Sequence, residues 1–313
     1  MRRIAVAALS LALAVSACGD DSAPTTIVLY TSATQDTVDA VVAAFEAENP
    51  DVDVAVFRAP TGELSARIAA DLRAGGIGAD VLWLTDPLSM QQFDVQGLLR
   101  DASPDASAVP AEYREQRFWG TRIVSLVVVQ HRDAVAVESW DDLVSAAEHG
   151  GAAILDPTFA GSGFATLAFF ALDERYGLDY LQRLHDAGTT VVAAPGDVVT
   201  GVAEGQFAAG ITIDRIARDA LADGSPLQIV WPDPGAIAVY SPIAVTGEKP
   251  QATEFVSFVL GRTGQEAIAA SGWLPIDPAV MPGDRAPQVT VDWDLAFDRQ
   301  QELLDAFRAI FGG

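Results

Sequence analysis

Short runs rich in isoleucine and valine recur along the chain, and most are followed by a turn and then by residues with helical spacing. The first run, Ile27-Val28-Leu29-Tyr30, is apolar throughout, as expected of a strand buried on both faces of a sheet. After it, Val38, Val41, Val42 and Phe45 lie at the positions of an amphipathic helix. This alternation predicts an α/β fold in which mostly parallel sheets carry helices on both faces.

The order of these segments predicts two lobes. The strand patterns up to residue 84 alternate with two helical patterns and form one β-α-β-α-β unit, while long apolar strands at 123–130 and 236–245 bracket a second block. We therefore expect the chain to leave the first lobe, build the second and return, with a ligand cleft between them. The expected boundaries are 27–122 with 237–282 for lobe 1, 123–236 for lobe 2, and an unassigned C-terminal segment, 283–313.

The N-terminus has the layout of an export signal. Met1-Arg2-Arg3 precedes twelve mostly apolar residues, 4–15, and small residues follow. This apolar core is shorter than the roughly 20 residues that a membrane-spanning helix needs. We expect residues 1–17 to be removed and residues 18–26 to form a flexible polar tether.

The composition limits the classes of partner. Without Arg2 and Arg3, 17 basic residues stand against 43 acidic ones, a net charge of about −26. A surface with this charge repels nucleic acid and anionic lipid. Half of the residues are apolar, and the chain is long enough for two domains with cores of their own.

A glycine-rich polar turn, 156–163, precedes the apolar helical pattern at 164–171. The N-terminus of a helix presents unpaired N–H groups and the positive end of its dipole, which suit an anion. Gly163 permits close approach of a ligand, and the hydroxyls of Thr158 and Ser162 can donate hydrogen bonds to it. The alternative is that Ser162 only caps its own helix.

Similar turns follow the first two predicted strands. One contains Ser32 and Thr34, and the other contains Thr61 and Gly62. In open α/β sheets, ligands bind outside the carboxyl ends of the strands, where such loops meet. We therefore expect these turns and the turn at 156–163 to face one cleft.

Several longer stretches resemble a known family. They are LYTSATQD at 29–36, ADVLWLTDP at 79–87, ILDPTFAGSGF at 154–164 and FVSFVLGRTGQEAIAASGWLPI at 255–276. They resemble the substrate-binding proteins of bacterial ABC importers, in the subgroup that includes carriers of ferric iron, phosphonates and phosphorylated compounds. The resemblance implies a two-lobed periplasmic-binding-protein fold of type II-like topology, a small-molecule ligand, a permease partner and no catalytic activity. We expect a monomer.

The sequence Val15-Ser16-Ala17-Cys18 resembles the lipobox of bacterial lipoproteins. The resemblance implies cleavage before Cys18, lipidation of that cysteine and attachment to the outer face of the plasma membrane. Cys18 is the only cysteine, so a disulfide within the chain is excluded. The alternative is an ordinary export signal with an incidental cysteine.

Family members that hold ferric iron use two adjacent tyrosines just after the segment that matches residues 210–212. Here that position reads Ile213-Asp214-Arg215-Ile216, without tyrosine. The histidines, His131, His149 and His185, are scattered along the chain, so no metal or other cofactor is expected. Iron held by ligands other than tyrosine stays an alternative.

Arginines are the candidates for holding an oxyanion, because the planar guanidinium matches two oxygens of a phosphate or phosphonate. Arg58, Arg122 and Arg215 each lie near a predicted strand end or lobe junction. The alternative for each is an exposed side chain or a salt bridge in a chain this acidic.

Acidic and aromatic candidates complete the expected site. Asp214 and Asp86 can hold a ligand ammonium, which suggests 2-aminoethylphosphonate or a similar zwitterion, although Asp86 before Pro87 also suits a turn or a helix cap. Tyr240 is a candidate for the wall of the cleft.

No catalytic motif competes with binding. Residues 160–164, AGSGF, lack the first and last glycines of a nucleophile elbow. A phosphate-loop lysine and a dinucleotide fingerprint are also missing from the sequence. A hydrolase acting in the cleft is the alternative from another functional class.

Overall fold

A computed structural model describes residues 24–159, 161–280 and 286–312. The predicted signal at 1–17, Cys18 and most of the predicted tether lie outside these residues. Within the described ranges, no helix combines the length and the apolar character needed to cross a membrane.

The described residues contain eleven strands that form one continuous sheet. The strands are β1 (Thr25–Thr31), β2 (Val52–Arg58), β3 (Val81–Trp83), β4 (Phe118–His131), β5 (Ala152–Leu155), β6 (Thr190–Val192), β7 (Ala209–Ile213), β8 (Leu227–Val230), β9 (Ala236–Val245), β10 (Leu274–Pro275) and β11 (Gln288–Thr290). Their order across the sheet is β2-β1-β3-β9-β4-β7-β5-β6, while β8 and β10 pair with β4, and β11 pairs with β9.

Twelve α-helices lie along the same described residues. They are α1 (Gln35–Glu48), α2 (Thr61–Ala74), α3 (Pro87–Val95), α4 (Asp142–Gly150), α5 (Gly161–Leu172), α6 (Gly177–Asp186), α7 (Pro195–Ala203), α8 (Asp214–Ala222), α9 (Pro250–Leu260), α10 (Arg262–Ala270), α11 (Trp293–Asp298) and α12 (Gln300–Phe311).

The first lobe is built on β1, which pairs in parallel with β2 and with β3. Ile27 and Leu29 of β1 are fully buried, as the continuous apolar run predicts. Helix α1 buries Val38, Val41 and Phe45, the stripe read from the sequence. Strand β1 begins at Thr25, two residues before the predicted start, so the first lobe includes the end of the segment expected to be a tether.

The second lobe is built on β5, which pairs in parallel with β6 and β7. Helix α5 is buried along residues 163–170 and occupies the centre of this lobe. The ring of Trp140 packs edge-on against Phe170 and lies 6.4 Å from Phe169. The second core thus rests on an apolar helix that enters directly from the glycine-rich turn.

Two long strands join the lobes. β4 and β9 run antiparallel and pair from Phe118 with Ala244 to Leu126 with Ile237. The end of β9 pairs with β3 of the first lobe, and the end of β4 pairs with β7 of the second. β4 begins five residues before the predicted start, because the pairing with β9 continues past a bulge between Gly120 and Arg122.

The C-terminal segment touches both lobes. β11 adds to the side of β9 at residues 236–238, and α11 packs on α3, where Gln91 Nε2 donates to Asp294 Oδ1 at 2.9 Å. α12 packs on α5 and α6, and the ring of Phe311 lies 5.5 Å from that of His185. The segment therefore runs from the first lobe to the second, which the sequence pattern left open.

Candidate ligand-binding cleft

A cavity of about 320 Å³ lies between the two lobes. Its walls come mainly from loops that follow β1, β2, β3, β5, β6 and β7, and its floor comes from β4 and β9. The lining residues are Ser32, Thr34, Pro60, Thr61, Gly62, Thr85, Arg122, Val124, Phe159, Gly161, Ser162, Pro195, Ile213, Ile216, Val239 and Trp273. The volume is at the small end of the range for ligand pockets.

Hydroxyl groups line the side of the cavity formed by the first lobe. Ser32 Oγ lies 3.3 Å from Thr85 Oγ1, which lies 3.5 Å from Thr61 Oγ1. β1 lies between β2 and β3 and is parallel to both, so the turns after the three strands converge at one end of this part of the sheet. Hydroxyls can rotate to donate or accept, so this cluster can solvate the oxygens of a ligand.

Arg122 lies at the floor of the cavity and is 1% exposed. Its Nε donates to Ser241 Oγ at 3.2 Å, and its Nη1 donates to Thr37 Oγ1 at 3.2 Å and to Thr34 Oγ1 at 3.5 Å. The guanidinium lies over the ring of Trp273, 4.1 Å from its centroid. All of these partners are neutral.

No carboxylate in the described part of the chain forms an ion pair with Arg122, although the charge of Asp36 acts on it from a greater distance. Burial lowers the pKa of Arg122 to about 9, and the charge of Asp36 acts in the opposite direction. Arg122 therefore stays cationic at neutral pH. A buried cation without a paired carboxylate is costly to the free protein, and an anion in the cavity offsets that cost.

Apolar side chains line most of the opposite side of the cavity. Phe159, Pro195, Ile213 and Ile216 come from the second lobe, and Ser162 is the one hydroxyl side chain among that lobe's lining residues. Val124 of β4 and Val239 of β9 form the apolar part of the floor.

Six of the eleven residues expected to bind a ligand line this cavity: Ser32, Thr34, Thr61, Gly62, Arg122 and Ser162. The expectation that turns from both lobes face one cleft therefore agrees with their placement. Sequence reasoning missed Thr85 and Trp273. Thr85 follows β3 as Ser32 follows β1, and this parallel was a usable signal, whereas nothing in the sequence places Trp273 over Arg122.

Thr158 and Gly163 do not line the cavity. Thr158 donates from its N and its Oγ1 to Asp156 Oδ1, at 2.7 and 2.6 Å, so its hydroxyl stabilises the turn. A β-carbon on Gly163 would lie 2.4 Å from Asp156 O, so this glycine permits the turn to pack on its own helix.

Asp214 and Arg215 also lie outside the lining. Asp214 Oδ2 accepts a hydrogen bond from Arg218 Nε at 3.1 Å, and burial raises its pKa against the effect of Arg218. Arg215 forms a close ion pair with Asp219 and lies 3.9 Å from Asp36. The charge of Arg215 is therefore paired with carboxylates of its own helix, α8, and of α1.

Tyr240 faces away from the cavity. It neighbours Val239 on β9, and successive side chains of a strand point to opposite faces. Its ring lies 5.5 Å from that of Tyr113, and burial raises the pKa of its hydroxyl. Asp86 is a helix cap, because its Oδ1 accepts from Ser89 N at 2.8 Å.

Arg58, the remaining arginine candidate, donates from Nε to Ala33 O at 2.8 Å and supports the turn after β1. Thus only one of the three arginine candidates contributes to the cavity lining.

The described residues contain no group of three or more His, Cys, Asp or Glu side chains that could hold a metal ion. The cavity lining includes none of these residue types and no tyrosine. The donor set is therefore one of hydroxyls, backbone amides and one guanidinium, which suits an anion and not a bare cation.

A family model for bacterial extracellular solute-binding proteins matches residues 27–274. The chain belongs to this family. A relative in Haemophilus influenzae, an uncharacterized protein, is 25% identical over 288 residues, which cover 86% of this chain and 82% of the relative. The protein is thus a solute-binding protein, a class defined by transport and not by catalysis.

Solved structures of similar proteins share the fold. AfuA from Actinobacillus pleuropneumoniae, with exogenous fructose-6-phosphate bound, has a TM-score of 0.77 at 20% identity and covers 92% of this chain and 98% of its own. Iron-bound HitA from Pseudomonas aeruginosa has a TM-score of 0.76 at 20% identity, over 92% and 99% of the two chains. The apo ferric ion-binding protein A of Pasteurella haemolytica has a TM-score of 0.77 at 16% identity, over 91% and 98%. The predicted two-lobed periplasmic-binding-protein fold is confirmed.

Proposed function

We propose that this protein is the substrate-binding component of an ABC importer and captures a small solute that carries an oxyanion group, such as a phosphonate or a phosphorylated compound. The observation that supports this most directly is Arg122, a buried cation that lines the interlobe cavity and has only neutral partners among the described residues.

The ligand oxyanion binds Arg122 and the surrounding hydroxyls. Nη2 of Arg122 makes none of the hydrogen bonds to Ser241, Thr34 and Thr37, so it remains available to the ligand. Ser32 and Thr61 donate from the first lobe. Ser162 and the backbone amides at the start of α5 donate from the second, where the helix dipole favours negative charge.

Binding closes the cleft. A ligand that contacts both lobes stabilises the conformation in which they approach each other, and this closed form is recognised by the permease. The moving units are residues 27–122 with 237–282 and residues 123–236, connected by β4 and β9. The protein acts as a monomer, because one chain provides both sides of the cavity.

Two structural relatives point to different cargoes. The AfuA structure contains fructose-6-phosphate, and the HitA structure contains iron. A phosphorylated or phosphonate ligand fits the hydroxyls and the guanidinium of this cavity. Iron is the weaker candidate, because the lining residues include no tyrosine, histidine or carboxylate.

Isothermal titration calorimetry with methylphosphonate, glucose 6-phosphate and inorganic phosphate tests the proposal. At least one of them should bind, and Arg122→Lys should weaken that binding about tenfold or more, because one ammonium cannot replace the hydrogen bonds of Nε and Nη1 and also bind the ligand as Nη2 does. Arg262→Lys is the matched control, since Arg262 is exposed and, among the described residues, pairs only with Glu266. Equal affinity in wild type and Arg122→Lys contradicts the assignment of Arg122.

We also propose that the mature protein is a lipoprotein, anchored through Cys18 to the outer face of the plasma membrane. The lipobox-like sequence 15–18 supports this. Cys18→Ser should move the protein from the membrane fraction to the soluble fraction of the cell envelope or the medium. Continued membrane attachment of this variant counts against lipidation.

A further inference from the structure

The two sides of the cavity differ in chemistry. The first lobe contributes hydroxyls, from Ser32, Thr34, Thr61 and Thr85, and these adjoin Arg122 on the floor. The second lobe contributes Phe159, Pro195, Ile213 and Ile216. The hydroxyls therefore lie mainly on the first-lobe side, which Pro60 and Trp273 also line, whereas Ser162 is the one hydroxyl among the mainly apolar residues of the second-lobe side.

The two carboxylates that the sequence suggests for a ligand ammonium are already bound to other groups. Asp86 accepts two hydrogen bonds from Ser89, through its backbone N and its Oγ. Asp214 is paired with Arg218. Neither carboxylate is among the lining residues.

A positive charge on the ligand, in addition to its oxyanion, therefore has no carboxylate partner among the lining residues. An ammonium group inside the closed cleft loses its hydration and meets no carboxylate among the lining residues. This argues against the zwitterion, such as 2-aminoethylphosphonate, that the positions of Asp86 and Asp214 in the sequence suggest.

The second lobe also offers few hydrogen-bond partners to hydroxyl groups of a ligand. Its lining residues offer one hydroxyl side chain, that of Ser162, and four apolar side chains. A buried hydroxyl without a hydrogen-bond partner reduces affinity. A polyhydroxylated body, such as that of a sugar phosphate, is therefore disfavoured against this wall.

Resting on the proposed function, we infer that the ligand is amphiphilic: a single oxyanion group bound by Arg122 and the first-lobe hydroxyls, and a small uncharged apolar body packed against Ile213, Ile216 and Phe159. The separated lining supplies the specificity, because the oxyanion alone is common to many solutes. The cavity of about 320 Å³ limits the body to a short alkyl chain or one small ring.

A matched series of phosphonates tests this inference by calorimetry at one pH and one salt concentration. Butylphosphonate and 3-aminopropylphosphonate have the same length and differ only in the terminal group. Butylphosphonate should bind at least tenfold more tightly than 3-aminopropylphosphonate. It should also bind more tightly than methylphosphonate by about fourfold per added methylene, which corresponds to about 0.8 kcal/mol each.

A substitution on the apolar side of the cavity tests whether the affinity gained from the alkyl chain arises there. Ile216→Ser should weaken butylphosphonate binding about tenfold and leave methylphosphonate binding within twofold of wild type. Leu221→Ser, an exposed position on the same helix α8, is the control and should change neither affinity.

The results separate the two proposals. If 3-aminopropylphosphonate binds as well as butylphosphonate and both depend on Arg122, the apolar-body inference is wrong and the oxyanion cleft stands. If glucose 6-phosphate or inorganic phosphate binds through Arg122 and no phosphonate does, the apolar-body inference alone is wrong. If no phosphonate and no phosphorylated compound binds in an Arg122-dependent way, both are wrong.

Discussion

Gly161, the first residue of α5, lies directly against Asp86, the residue that caps α3. A β-carbon on Gly161 would lie 2.8 Å from Asp86 Cβ and 2.9 Å from its Cγ. The two residues belong to different lobes, so this contact is a place where the lobes meet. Only glycine permits the approach, because Asp86 is buried and its carboxylate is bound to Ser89.

Gly161→Ala should therefore weaken ligand binding about tenfold or more, since the added methyl group holds the lobes apart. Calorimetry measures the affinity, and small-angle X-ray scattering should show a larger radius of gyration with ligand than for wild type. Gly196→Ala is the matched control, because a β-carbon there would have no atom within 4 Å. Wild-type affinity in Gly161→Ala would show that binding does not require this contact.

Arg122→Met should abolish oxyanion binding and raise the thermal stability of the ligand-free protein at pH 7. The variant removes a buried charge that forms no ion pair in the described structure, while methionine keeps most of the apolar stem. We expect the melting temperature to rise by a few degrees, at about 2–4 °C per kcal/mol for a chain of this order of size. A fall of several degrees in differential scanning calorimetry contradicts the account of Arg122 as an unpaired cation.

Ferric citrate should produce no visible absorption band from tyrosinate-bound iron. The cavity lining contains no tyrosine, and burial raises the pKa of Tyr240, which opposes formation of its phenolate. Absorption spectroscopy across the visible range with equimolar iron measures this. A saturable band at one equivalent of iron would favour the iron alternative over the oxyanion.

The convergence of Ser32, Thr61 and Ser162 could be predicted because it follows from topology. Turns at the carboxyl ends of parallel strands meet at one edge of a sheet, and the strand pattern shows which turns these are. The buried strands and the apolar helix α5 are equally visible, since burial on both faces leaves continuous apolar runs.

The choice among the arginines could not be made in the same way. Arg122 and Arg215 look equivalent beside strand ends, and they differ only in which side chains surround them. Arg215 meets Asp219 and Asp36, whereas Arg122 meets hydroxyls and Trp273, a residue about 150 positions further along the chain. Such long-range neighbours leave no local pattern.

The C-terminal segment has a mechanical consequence. It is bound to the first lobe through α11 and to the second through α12, and Arg299 lies at the junction of these helices. Any rotation of one lobe against the other must therefore bend or slide this third connection along with β4 and β9. A reporter dye attached at the α11–α12 junction would sense occupancy of the cleft from the outside of the molecule, without competing with the solute for space.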